Sequence, residues 1–318
     1  MFALRESAVS LTFFVLIYCF FSTLVAILWR PLKPADVAQR SVARLLFGLR
    51  ILPILASIII TFAFVVPSFQ LLEPRSIESN EGIGTMPLAL AGCALLLLAF
   101  GCFRVVAAQT RTARVVACWL EGARPLKSGD GSTITFESTF ESRAETPPLT
   151  LVGFRHPRVL VSESTVALLS DDELQIALKH ELEHMKSRDN LKKLIFRFCP
   201  FPGMGKLESA WSQAAELAAD DAAVSNPQDA VELAAALVKL SRLLPVAAAP
   251  VCAVGFVTGF LSERVTRLLT WDEASTARRV QIRTWFVIPP TVAAFLLATI
   301  AYGPVLTITH QVTEWLVR

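Results

Sequence analysis

The residue types and spacing that could support catalysis are concentrated in one segment, His180-Glu181-Leu182-Glu183-His184. In an α-helix, residues four apart lie on one face, so both imidazoles can reach one metal ion. The HExxH pattern on a helix is the arrangement of zinc metalloproteases, in which the first glutamate acts as general base. We therefore predict that His180 and His184 bind zinc, that Glu181 is the catalytic base, and that Glu183 is a surface or positioning residue. The alternative is a solvated helix face with two incidental histidines.

A third zinc ligand is expected on a second helix, because catalytic zinc takes three protein ligands and leaves one position for water. The segment WSQAAELAADDAAV, residues 211–224, is rich in alanine and places Glu216 and Asp220 four residues apart. Small side chains allow this helix to approach the first one closely. We predict that Glu216 completes a His, His, Glu set, which favours one zinc ion per chain. Asp220 would accept a hydrogen bond from a ligating imidazole and fix its tautomer.

Three further residues are weaker candidates. Arg188 and Asp189 follow the motif and are predicted to brace its helix, with a surface ion pair as the alternative. The group that stabilises the oxyanion is hard to identify, because both tyrosines, Tyr18 and Tyr302, lie in apolar segments. His156 is the remaining histidine of the polar central region, and it is either this catalytic group or a structural residue of a turn. Backbone N–H groups are a further alternative.

The helix that carries the motif has a clear beginning. Ser170 and Glu173 form a capping-box pattern, and two aspartates occupy the first turn. The pattern predicts one helix from Ser170 to about Leu194, with the motif in its interior.

A small amount of β-structure is predicted ahead of this helix, which makes the polar region α+β. Two short strands, 149–152 and 159–162, flank a turn at Pro157. The preceding stretch, 124–148, contains the tandem TFESTFES and is predicted to be exposed strand or loop. A protein substrate is expected to pair as an extended strand with an exposed edge near residues 149–162.

The rest of the chain predicts a membrane protein. Hydrophobic residues make up 53% of the chain and charged residues 18%, against about 25% charged residues in a typical globular protein. Crossing a bilayer takes about 20 apolar residues. The predicted organisation is a membrane region, 1–103, with spans at 8–29, 51–69 and 86–103; a polar domain, 104–284; a fourth span, 285–309; and a short tail, 310–318. The short apolar stretch 245–260 could be buried or could enter the membrane.

The distribution of Lys and Arg predicts the orientation. Basic residues follow the first and third spans and precede the fourth, whereas the loop between the second and third spans is acidic. By the positive-inside rule, residues 104–284 are cytoplasmic and both termini are extracytoplasmic. The net charge of +3 is too small to indicate direct binding of nucleic acid. No span has a charged residue in its central part, which argues against a transporter.

In combination, these features resemble the BlaR/MecR-type membrane metallopeptidases, which are gluzincins. The resemblance rests on HPRVLVSESTVALLSDDELQIALKHELEHMKSRDN, the following FPG and AELAADDAAV; it covers residues 150–270 approximately, and the four spans fit the family's layout. It implies a zinc endopeptidase of the bacterial inner membrane that relays a signal by cleaving a cytoplasmic protein, often a transcriptional repressor. The family's functional residues correspond to the ligands His180, His184 and Glu216, the base Glu181 and the supporting carboxylate Asp220.

Other readings stay open at this stage. The antibiotic sensors of that family carry a large penicillin-binding domain after the last span, whereas here only residues 310–318 follow it. We therefore expect the stimulus to arrive through the membrane segments or a partner sensor protein. HtpX-type proteases share HExxH and ExxxD, so quality control of membrane proteins is an alternative. A catalytically silent membrane scaffold or receptor is another.

Overall fold

Three long apolar helices form the N-terminal part of the chain. The computed structural model describes residues 2–31, 37–72, 84–125, 139–142, 146–243, 254–255, 260–272 and 301–317. Within these, α1 is Phe2–Leu28, α2 is Gln39–Ile60 and continues through the π-helical turn Thr61–Val65 into α3, Val66–Leu72, and α4 is Thr85–Leu120. All three helical stretches are long and apolar enough to cross a membrane. The first three predicted spans fall on them, and the chain fits a membrane protein.

Helix α4 extends well past the third predicted span. The span was expected to end at Phe103, but α4 continues to Leu120, because no helix-breaking residue interrupts this stretch before Gly122. Gly122 has a φ of 78°, a left-handed conformation that glycine adopts without steric cost. The helix therefore continues from an apolar segment into the polar part of the chain.

A small mixed sheet is the β-structure of the described residues. Its strands are β1 (Arg124–Pro125), β2 (Thr139–Ser142), β3 (Leu149–Val152), β4 (Arg158–Ser162) and β5 (Val254–Gly255), in the order β1-β2-β4-β3-β5. The β2–β4 pair is parallel, and the other pairs are antiparallel. The two strands predicted around Pro157 are confirmed as the β3–β4 hairpin.

The prediction of an exposed strand edge for substrate binding near residues 149–162 is wrong. Strand β4 lies between β2 and β3, and β3 is itself paired with β5 at Thr150 and Leu151. Backbone groups of the hairpin are therefore engaged on both sides. The second TFES of the tandem forms β2, in which Thr139 and Ser142 are buried, so this part is not an exposed loop. Residues 126–138, which include the first TFES, lie outside the described residues.

Six helices follow the strands β3 and β4, and the second of them carries the predicted motif. They are α5 (Glu163–Leu168), α6 (Asp171–Ser187), α7 (Asp189–Phe198), α8 (Gly205–Ala223), α9 (Pro227–Ser241) and α10 (Leu261–Leu269). The capping box at Ser170 is confirmed. The prediction of one helix as far as Leu194 is wrong, because Arg188 adopts a left-handed conformation, with φ 55° and ψ 41°, that separates α6 from α7.

Two hydrophobic clusters hold these helices in place. Strands β3 and β4 pack against α6 and α9 through side chains such as Leu151, Val161, Ile176 and Leu233, which are almost fully buried. Each such side chain stabilises the fold by about 1.5–3 kcal/mol. The second cluster joins α8 to the membrane helices α1 and α2 around Trp211. Helix α8 is therefore attached to the membrane region as well as to the polar domain.

Close packing also joins α7 to α4. A Cβ atom on Gly101 would lie 2.2 Å from the carbonyl oxygen of Phe198, so only glycine allows this contact between the two helices. The segment after α7 continues between the membrane helices, where the Tyr18 hydroxyl donates a hydrogen bond to the Pro200 carbonyl over 3.2 Å. The polar domain therefore contacts the apolar helices at several separate points.

The C-terminal part is described over a short range. Residues 285–300 of the predicted fourth span, and most of the apolar stretch 245–260, lie outside the described residues. The last described helix, α11, is Tyr302–Val317 and includes most of the residues that were predicted as a tail.

Candidate metal centre

The two histidines of the motif and Glu216 meet at one point between α6 and α8. The Nε2 atoms of His180 and His184 lie 3.1 Å apart, and each is 3.6 Å from an oxygen of Glu216. All three side chains are buried, and their ligand atoms lie within 4.8 Å of one another. Ligands about 2.0–2.2 Å from a tetrahedral zinc ion lie about 3.4 Å apart. The donor set and its spacing therefore fit one tetrahedral metal ion.

The local sequence explains how these side chains come together. On α6, His180 and His184 are one helical turn apart and share the face that is turned towards α8. On α8, Ala215 and Ala219 are buried beside Glu216, and their small side chains leave room for the short distance between the helices.

Both imidazoles have a carboxylate on the side away from the three-ligand group. The Nδ1 atom of His180 is 3.0 Å from Asp220 Oδ1, and that of His184 is 2.8 Å from Asp189 Oδ2. Donation of the Nδ1 proton to a carboxylate leaves Nε2 as the metal-binding atom and fixes the ring. The break at Arg188 is what turns Asp189 back towards His184. Arg188 itself is exposed.

Arg264 is a member of the site that the sequence analysis missed. This residue of α10 is 1% exposed, and its Nε and Nη2 atoms donate to the two carboxylate oxygens of Asp220 at 2.8 and 2.6 Å. Its Nη1 atom lies 3.1 Å from Glu216 Oε2. One guanidinium therefore compensates the charge of two buried carboxylates. Nothing in the local sequence distinguishes Arg264 from Arg267, which pairs with Asp221 nearer the surface.

Glu181 differs from the other carboxylates of the site. It is fully buried, and among the described residues neither of its carboxylate oxygens has a hydrogen-bond partner. Burial raises the pKa of Glu181, although the nearby His184 and His180 oppose the shift. A buried carboxylate without donors is costly for the fold, so its presence beside the ligands suggests a chemical role.

Electrostatic coupling changes the pKa values of the other groups. Burial lowers the pKa of His184, but Glu216 and Asp189 outweigh it and raise the pKa to about 10. Burial raises the pKa of Asp220, but Arg264 outweighs it and lowers the pKa to about 2. For Glu216, burial is likewise outweighed by the histidines and Arg264, and the pKa falls well below its usual range. The carboxylates of Glu216 and Asp220 are therefore ionised, and a carboxylate ligand must be ionised to bind a metal.

The remaining predicted residues lie at the edge of this group or away from it. Glu183 is buried rather than on the surface, and it accepts a hydrogen bond from Arg40 of α2. His156 is exposed in the β3–β4 turn and lines a cavity of about 250 Å³ next to α4. A different cavity, of about 390 Å³, lies between that turn and His184. His156 lines the cavity next to α4 and does not line the one at His184. Its role in stabilising the oxyanion stays a prediction.

Asn190 is a second residue that the sequence analysis missed. Its side-chain amide donates to the carbonyl oxygens of Leu151 and Gly153, at 3.1 and 2.9 Å, and ties the beginning of α7 to β3. This contact holds the neighbouring Asp189 in position. The RDN sequence after the motif was the available indication, but it did not reveal which atoms the asparagine would bind.

No protein-family model matches the chain, and no curated protein matches it significantly in sequence.

Proposed function

We propose that this protein is an integral-membrane zinc endopeptidase that hydrolyses peptide bonds of a cytoplasmic protein. The observation that carries the proposal is the buried group of His180, His184 and Glu216. Glu181 is adjacent to His180 on α6, and its carboxylate has no hydrogen-bond partner among the described residues. This is the residue set that the resemblance to the BlaR/MecR-type gluzincins implies. Bound zinc would act as a Lewis acid on the scissile carbonyl and lower the pKa of a water molecule towards about 7.

The roles of the chain's own residues follow from their surroundings. Glu181 accepts a proton from the attacking water and delivers it to the leaving amine. Its raised pKa favours this exchange, because a base with a pKa nearer neutrality both takes up and releases a proton readily. Asp189 and Asp220 hold the two imidazoles in the ligating tautomer, and Arg264 holds Glu216 and Asp220.

A regulatory role is supported by the attachment of the site to a membrane helix. Arg40 of α2 binds Glu183 within the motif, and Arg50 of α2 binds Glu208 on the helix that carries Glu216. A displacement of α2 would therefore act on both ligand-bearing helices. We propose that a signal received in the membrane, or from a partner sensor protein, controls cleavage of a substrate such as a transcriptional repressor. The distribution of Lys and Arg supports a cytoplasmic active site in a cell inner membrane.

The test uses the full chain purified in detergent, with zinc content and peptide hydrolysis measured on the same samples. Glu181→Gln should retain about one zinc per chain and lose hydrolysis of a quenched fluorescent peptide mixture by at least about 100-fold. Glu163→Gln, an exposed change on α5, is the matched control and should be unaffected. Native protein that binds zinc but cleaves nothing, itself included, would favour the scaffold or receptor reading. Native protein without stoichiometric metal would refute the proposal.

A further inference from the structure

A second site is suggested by a large cavity between the membrane helices and the polar domain. It has a volume of about 730 Å³ and lies where α2 and α4 meet α7 and α8. Volumes of about 300–1,000 Å³ are typical of small-molecule sites. Two of its arginines mark the ends of apolar segments: Arg50 immediately precedes that of α2, and Arg104 follows that of α4. The cavity therefore lies at the depth at which lipid headgroups meet the hydrocarbon core.

The cavity wall is strongly basic. Four cations line it, Arg50, Arg104, Lys193 and Arg197, against the single carboxylate of Glu208. That carboxylate is already engaged, because Arg50 Nε donates to it at 2.8 Å.

The other three cations of the wall lack an anionic partner in the described part of the chain. Arg104, Lys193 and Arg197 are each half-buried, and none has a carboxylate within ion-pair distance among those residues. Half-buried like charges without a counter-ion repel one another and attract an external anion. The wall of the cavity therefore favours an anionic ligand.

An uncharged donor lies in the same wall. Trp211 is 2% exposed, and its buried indole N–H has no hydrogen-bond partner among the described residues. Buried polar groups are nearly always paired, by protein, water or ligand. The three cations of the wall remain the groups that a ligand with several acceptor oxygens would pair with.

We propose that this cavity binds a phosphate group, and that the headgroup of an anionic phospholipid supplies it. Guanidinium groups bind phosphate oxygens in a two-pronged geometry, and basic pockets between membrane helices bind anionic headgroups. Phe100 and Phe201 line the cavity beside the cations and provide apolar contact for the glycerol region of a lipid. Bound lipid also stabilises the packing of α8 against α2, because both helices contribute to the wall. This inference does not depend on proteolytic activity.

The test measures lipid binding by the full chain in nanodiscs of phosphatidylcholine alone or mixed with phosphatidylglycerol. Phosphatidylglycerol that remains bound is counted by native mass spectrometry, and the melting temperature is recorded in each lipid. The double variant Arg104→Ala/Arg197→Ala should bind phosphatidylglycerol at least about tenfold more weakly, since it removes two of the cations that would hold the phosphate. The control is Arg111→Ala/Arg114→Ala, which removes two exposed arginines of α4 outside the cavity.

The source of the phosphate is distinguished in a second arm, in which inorganic phosphate is added to the protein in lipid-free detergent. Stabilisation by phosphate equal to that by phosphatidylglycerol, and lost in the double variant, would assign the cavity to a soluble phosphate compound instead of a lipid. Equal retention of phosphatidylglycerol by the native chain, the double variant and the control would overturn the proposal. If the double variant does not fold in phosphatidylcholine, Lys193→Ala and Arg111→Ala, an exposed change outside the cavity, provide the same comparison, with weaker binding expected only for the first.

Discussion

Arg264 and Asp220 form a buried two-pronged ion pair, in which Nε and Nη2 of the arginine donate to the two carboxylate oxygens at 2.8 and 2.6 Å. The third nitrogen of the guanidinium, Nη1, is 3.1 Å from Glu216. Asp220 in turn contacts His180. Arg264 of α10 therefore contacts the candidate metal ligand Glu216 directly and supports the candidate ligand His180 through Asp220.

Replacing Arg264 by lysine should weaken zinc binding and destabilise the fold. Lysine retains the charge but cannot contact both carboxylates in the planar, two-pronged geometry. Loss of supporting contacts to metal ligands typically costs 10–100-fold in metal affinity, and a buried carboxylate oxygen left without a donor costs about 1–3 kcal/mol. Zinc titration and the melting temperature of the metal-free chain measure the two effects. Arg267→Lys, on the same helix, should change both by much less, and equal behaviour of the two variants would contradict the role of Arg264.

The two carboxylates that contact the imidazoles should be needed for tight zinc binding. Asp220→Asn and Asp189→Asn keep the size of the side chain but remove the charge that holds the Nδ1 proton. We expect zinc affinity to fall about 10–100-fold in each. Competition with a chromogenic chelator measures the affinity.

Asp221 provides a matched control for this pair of variants. It is adjacent to Asp220 on α8 but pairs with Arg267 instead of a histidine. Asp221→Asn should therefore leave zinc affinity nearly unchanged. A loss in this control as large as that in Asp220→Asn would show that the helix, and not the contact to His180, is what matters.

Zinc affinity should rise with pH. In the metal-free protein the pKa of His184 is raised to about 10, so at neutral pH its imidazole carries a proton that zinc must displace. Each displaced proton makes the affinity rise about tenfold per pH unit below that pKa. The stability of the metal-free fold has the opposite pH dependence. Because folding raises the pKa of His184, the bound proton stabilises the fold at pH values below the unfolded pKa of about 6.5. This stabilisation is lost as the pH rises through the folded pKa. Calorimetry in buffers of different ionisation enthalpy counts the protons released.

The sequence predicts those parts of the site that depend on the spacing of residues within one helix. The i, i+4 pairs His180/His184 and Glu216/Asp220 each share a helix face, and these four side chains do lie together. The contact of Asp189 with His184 depends on the left-handed conformation of Arg188, which a non-glycine residue rarely adopts, so the helix pattern predicted continuity instead. Arg264 and Arg40 reach the site from elements distant in sequence. Tertiary packing alone selects them from 30 Lys and Arg residues.

The same limit applies to the fold. Apolar length located three membrane helices, and β-branched residues around Pro157 located the hairpin β3–β4. The pairing of β3 with β5 involves residues about a hundred positions apart, so the sequence could not show that the hairpin lacks a free edge. Long-range pairing, rather than local propensity, decided whether a substrate strand could be added there.

Arg50 joins the membrane region to the metal-binding helices, and its removal should destabilise the protein strongly. It is 2% exposed, its Nη2 donates to the carbonyl oxygens of Phe196 and Cys199 at the end of α7, and its Nε donates to Glu208 on α8. Arg50→Ala leaves buried acceptors without donors, and we expect a loss of about 3 kcal/mol or more. Arg44→Ala, an exposed change on the same helix, should cost less than about 0.5 kcal/mol. Thermal unfolding in the same detergent compares the two, and zinc titration shows whether α8 still presents Glu216. If Arg50→Ala unfolded like Arg44→Ala, α2 would not be held to α7 and α8 by this side chain, and transmission of a membrane signal through it would have to be abandoned.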